Sequence, residues 1–103
     1  PMSILHTVNK STFERNSLES CFKFATDGAS VLLFEDGVYA ALKGSGAEAQ
    51  MKTALDRLSI YVLGPDFNAR GFKEDRLIEG IKVVDYAGFV DLAAENDKVQ
   101  AWL

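Results

Sequence analysis

The sequence predicts an α/β fold, a small three-layer α/β/α domain with a mostly parallel sheet of four to five strands. Three observations lead there. Short apolar runs alternate with stretches of helical periodicity along the chain, which is the pattern of βαβ units. The run "SVLLF", residues 30–34, is almost continuously apolar, as strands covered on both faces of a parallel sheet are. The 103 residues, 48% hydrophobic and 25% charged, supply one ordinary globular core and no second, so a single domain over residues 1–103 is expected.

Each element has its own signal. "SILHTV", residues 3–8, is a β-branched apolar run that stops at "NKS", a turn and helix-start sequence. A helix over 12–26 follows. With Leu18 at 0° and ~100° per residue, Cys21, Phe22 and Ala25 fall within about 60° of it, on one apolar stripe. The second strand is Ser30–Phe34, and "GVYAAL" after it reads as a short helix. "GSG", residues 44–46, breaks the chain before "AEAQMKTALDRLS", where Ala47, Met51, Ala54, Leu55 and Leu58 recur at helical spacing. "IYVLG" is the third strand. "PDFNARGF" reads as a turn with one or two helical turns and Asp66 as N-cap. "IKVVDY", residues 81–86, is the fourth strand, and "AGFVDLAAEN" is a helix with Phe89, Leu92 and Ala93 on one face. The alternating tail "KVQAWL" suits a short edge strand.

Composition excludes several function classes. Net charge is −4 with the bases scattered, so the basic stripe of a nucleic-acid binder is missing and no direct nucleic-acid contact is expected. No apolar run approaches the ~18 to 20 residues of a membrane span, and a cytoplasmic protein without a membrane partner is expected. One cysteine and one histidine leave no internal disulfide and no ligand cluster of zinc spacing. "GSGAEA" follows a helix instead of a strand and lacks the third glycine of a dinucleotide fingerprint. No cofactor is therefore expected.

Three groups of side chains remain as candidates. Cys21 lies in the apolar stripe of the first helix, where a thiol ordinarily behaves as a small hydrophobe. Reactivity would require a lowered pKa and access to solvent, with Lys23 and Arg15 as the cations on the same helix. His6 shares a strand face with Ile4 and Val8, which suits a satisfied core histidine, and it is also a possible neighbour for a thiolate. Glu35, Asp36, Asp66 and Asp85 follow successive strands, at the sheet edge where α/β ligand crevices form. Helix capping accounts for Asp36, Asp66 and Asp85 equally well. A sheet this small, ending in the apolar pair Trp102-Leu103, would leave surface for partner subunits to cover.

The ordered set "ILHTVNKS", the leucine-rich strand running into "EDG", "ARG" after the third strand, "DY" opening the last helix and the closing "QAW" resembles the DsrH/TusB family from Ile4 to Trp102. The resemblance implies a subunit of a cytoplasmic sulfur relay of the DsrEFH or TusBCD type. In such a relay three homologous α/β chains form a trimer that doubles into a heterohexamer, and persulfide sulfur passes between proteins. It implies DsrE/TusD-like and DsrF/TusC-like siblings and a downstream DsrC/TusE-like carrier. The principal sulfur-accepting cysteine belongs to the DsrE or TusD sibling. DsrH-like members carry a cysteine in the first helix and TusB-like members lack it. Cys21 in "NSLESC" therefore points to the DsrH side and dissimilatory sulfur oxidation, with the alternative of 2-thiouridine synthesis at the tRNA wobble position. On this resemblance the chain is mainly a scaffold, with Cys21 as a possible secondary persulfide site and His6 beside it.

Overall fold

The computed structural model describes residues 2–12 and 16–103. Five strands, β1 (Ile4–Val8), β2 (Ser30–Leu33), β3 (Ser59–Leu63), β4 (Lys82–Val84) and β5 (Lys98–Trp102), form one sheet in the order β4-β3-β2-β1-β5. All neighbours are parallel. Parallel pairing requires crossovers, and these contain α1 (Ser17–Phe24), α2 (Glu48–Leu55), α3 (Gly64–Ala69) and α4 (Tyr86–Glu95). From β1 to β4 the chain steps in one direction across the sheet. After β4 it returns through α4 to pair β5 with β1, with Trp102 opposite Val8 and Gln100 opposite His6.

Side chains alternate across a strand, and here the alternation separates two cores of unequal size. Val8, Val31, Leu33, Ile60 and Val62 share the larger one with Leu18, Cys21 and Phe22 of α1, Met51 and Ala54 of α2 and Phe67 of α3. Leu5, Leu32 and Leu63 point to the other face, where Leu92 of α4 meets them. The expected three layers are present, one built from several helices and the other from α4.

The structure departs from the expected elements at three places. The first helix ends at Phe24, because Ala25 is already extended, and the expected helix start at residues 13–15 lies outside the described residues. "GVYAAL" is the end of a 3-10 helix over Glu35–Ala41, with Leu42 already extended. Its entry is tight: Glu35 adopts φ +48, Phe34 N–H donates to the Val8 carbonyl at 3.1 Å, and a Cβ on Gly37 would lie 2.2 Å from that same oxygen. Only glycine fits at 37. "EDG" is thus the turn that ties the end of β2 to the end of β1. Finally, Asp66 is not an N-cap. α3 begins straight from β3 with Pro65 in its first turn, where the fixed φ of proline is already helical. Asp66 therefore lies inside the first turn.

Candidate functional site

Cys21 sits on the inward stripe of α1 with none of its surface exposed. Burial pushes the thiol up to about 12, against a smaller opposing pull from the Arg57 guanidinium. At neutral pH the buried group is then held as the thiol. Lys23, one of the two cations the sequence offered, points to solvent and pairs with Glu19 at 3.2 Å. Arg15, the other, lies outside the described residues.

The base near Cys21 is Arg57, which arrives from the turn after α2. Its guanidinium donates to the carbonyl of Phe22 and, at 2.8 Å, to that of Ala25. It also reaches Asp27 at 3.2 Å. These are the unsatisfied carbonyls at the C-terminal end of α1, where a cation complements the helix dipole. Arg57 therefore closes α1 over the core, and its charge lies at the rim of the helix end. No periodicity marks Arg57 in the sequence, because the contact joins residues more than thirty positions apart.

His6 is buried on β1. Its Nδ1 accepts the indole N–H of Trp102 at 3.0 Å, which requires the neutral ring with its proton on Nε2. Burial, and to a lesser extent the charge of Lys98, hold its pKa below the usual 6.5. The ring packs against Phe24 and Trp102, at centroid distances of 6.2 and 6.1 Å. Among the described residues no hydrogen bond joins His6 to Cys21. The histidine fastens the edge strand β5 to β1.

The carboxylates at the strand ends are engaged locally. Asp66 accepts the Glu35 N–H at 2.6 Å, Glu35 accepts from Asn9 at 3.2 Å, and Asp36 pairs with Arg70 at 2.9 Å. Asp85 is the one true N-cap of the three expected, accepting the Gly88 N–H at 2.8 Å. Asp36 and Asp66 instead tie the 3-10 helix to α3. Among the described residues no three metal-ligating side chains converge. Also among them, no helix is long and apolar enough to cross a membrane.

A five-stranded all-parallel sheet covered by helices on both faces, with its thiol in the core and its strand-end carboxylates used as ties, places the chain in the class of small three-layer α/β domains. Its lineage is more specific. Residues 10–99 match the family model described as "DsrH like protein", and the chain belongs to this DsrH/TusB family. "Protein TusB" of Erwinia tasmaniensis is 38% identical over 100 residues, covering 96% of this chain and all of that protein. "Protein TusB" of Pectobacterium parmentieri is 31% identical over 99 residues, covering 96% and 100%. The fold is also that of the ychN protein from E. coli, whose crystal structure superposes with a TM-score of 0.82 at 19% identity, covering 98% of this chain and 99% of that one.

Proposed function

We propose that this chain is a TusB-like subunit of a sulfur-relay complex that serves 2-thiouridine synthesis at the tRNA wobble position. Its contribution there is that of a scaffold. The observation that carries the reading is the end-to-end match to proteins named TusB, at up to 38% identity among those given above. Cys21 had favoured the DsrH side and sulfur oxidation. A fully buried cysteine on an apolar stripe is what packing alone would select, so its presence carries little weight between the two branches.

In this reading TusC/DsrF-like and TusD/DsrE-like siblings assemble with the chain in the cytoplasm, and sulfur passes from the sibling's cysteine to a TusE/DsrC-like carrier. The chain supplies surfaces that position that cysteine. Cys21 takes no sulfur, because a thiol without access and with almost no thiolate is a poor acceptor. Negative net charge keeps the chain itself off tRNA.

Two arms test this. Co-expression with the two siblings yields a stable complex that retains this chain through size exclusion. In a bacterium deprived of its own TusB, the chain with its siblings restores 2-thiouridine, read by mass spectrometry of digested tRNA. A complex that forms but leaves thiolation absent, with sulfite-producing sulfur oxidation restored in an oxidiser lacking DsrH, moves the chain to the other branch. Failure to bind either sibling rejects the relay reading.

A further inference from the structure

We infer that the cleft between the carboxyl ends of β3 and β4 is a binding site for an alkyl cation, an ammonium or guanidinium carried on a short aliphatic stem. The inference is independent of the relay reading. In an open α/β sheet the crevice for a ligand forms outside the carboxyl ends of the strands, at the switch point where neighbouring strands send the chain to opposite faces. β3 leads into α3, whose Phe67 packs in the larger core, and β4 leads into α4, whose Leu92 packs in the smaller core on the other face. The crossovers after β1 and β2 lie on the same side as α3, because all three advance across the sheet in one direction and right-handed crossovers of one direction share a face. α4 returns the opposite way, to β5. Among the described residues, the helix starts therefore diverge at the β3–β4 boundary.

A cleft of about 560 Å³ occupies that boundary, lined by Pro65 and Asn68 of α3, Val83 and Val84 of β4, and Asp85 at the start of α4. Gly64 and Gly88 complete the lining. A Cβ on Gly64 would lie 2.9 Å from Cγ1 of Val83, and one on Gly88 would lie 2.9 Å from Cβ of Val84. The two glycines thus let α3 and α4 start hard against the valines, and neither adds a side chain to the space. The volume suits a small molecule or a single side chain.

Charge and shape select the ligand. Asp85 Oδ1 accepts the Gly88 N–H at 2.8 Å, while among the described residues no hydrogen bond or ion pair engages Oδ2 or the Asn68 carboxamide. Both groups offer acceptor oxygens. A phosphate or carboxylate would meet the Asp85 charge with no lining base to offset it, and a planar aromatic ligand would find no lining ring to stack on. An alkyl cation meets neither obstacle, with its stem along Pro65, Val83 and Val84 and its head at Asp85 and Asn68. The chain's own cations nearby are engaged elsewhere. Arg70 pairs with Asp36 and donates to the Asp66 carbonyl, and Lys82 stands 5.9 Å over the Tyr61 ring.

The test titrates the full chain, labelled with ¹⁵N, with n-butylguanidinium and with its neutral isostere n-butylurea. The guanidinium should give saturable shifts at Gly64, residues 83–85 and Gly88 and at the Asn68 side-chain amide, and the urea should bind about fivefold more weakly. Asp85→Asn retains the cap, since Asn caps as well as Asp, and should weaken guanidinium binding about fivefold, with the difference shrinking in about 0.5 M salt. Asn68→Lys, at an exposed position, brings an ammonium of the chain's own to Asp85 and should weaken binding by a similar factor. A blocked Ala-Arg-Ala peptide, beside the same peptide with citrulline for arginine, separates the two sources of such a cation. Tighter binding of the arginine peptide than of butylguanidinium assigns the cleft to a protein side chain, and the reverse assigns it to a free small molecule. Absence of saturable shifts, shifts centred away from the cleft, equal binding of butylguanidinium and butylurea, or indifference to both substitutions would overturn the inference.

Discussion

Helices α1 and α4 lie on opposite faces of one sheet, and they complete their layers differently. α1 turns Leu18, Cys21 and Phe22 into a core shared with α2 and α3, and it turns Glu19 and Lys23 outward as an ion pair. Its C-terminal carbonyls are closed by Arg57. α4 meets the sheet mainly through Leu92 and shows Val90 and Tyr86 to solvent. The first helix is enclosed within the chain, and the second leaves Val90 and Tyr86 exposed. The lone cysteine belongs to the enclosed side.

The largest expected consequence of that asymmetry lies in core truncation. Leu18→Ala opens a cavity in the larger core and should cost ~4 to 5 kcal/mol, while Leu92→Ala lies in the smaller core under one helix that can settle toward the sheet and should cost ~2 to 3 kcal/mol. Urea unfolding of the two variants gives the comparison. Equal losses would mean that the faces are equally well packed.

A smaller effect is expected at Arg57. Arg57→Gln removes charged hydrogen bonds from the Phe22 and Ala25 carbonyls and should destabilise by ~1 to 3 kcal/mol. It should also raise amide exchange in the last turn of α1 while leaving α4 unchanged. Uniform loss of protection in both helices would contradict the separate finishing of α1.

The smallest concerns His6. Its folded pKa lies below 6.5, so below about pH 6.5 the unfolded chain binds a proton that the folded chain refuses. The contribution is therefore level above 6.5, and stability falls as pH drops from there until the folded pKa is reached. Protonation also removes the acceptor that holds Trp102. Thermal melts between pH 7 and 5 should show this slope in the native chain and a flatter one in His6→Leu, after comparison at matched ionic strength. An unchanged slope would remove His6 from the account.

Much of this architecture is readable from the residues in order. The parallel sheet follows from the apolar runs at β2 and β3, the edge strand from the alternation of "KVQAWL", and the burial of Cys21 and Leu92 from helical spacing. What spacing could not supply were contacts between distant residues. Arg57 reaches α1 from the turn after α2, Trp102 reaches His6 from the far end of the chain, and Asp66 and Asp36 are bound across loops and not within their own helices. Capping propensity placed Asp85 correctly, because that helix follows its strand through an extended residue. It misplaced Asp66, because Pro65 lets α3 start earlier.

The central claim, that this chain serves its complex without using its thiol, meets its most direct test in the assembled complex treated with a persulfide donor. Intact-mass spectrometry should find added sulfur on the sibling's cysteine and none on this chain. A complex carrying Cys21→Ala should deliver sulfur to the carrier protein at the native rate. A sulfur atom on Cys21, together with loss of delivery in the Cys21→Ala complex, would contradict the claim.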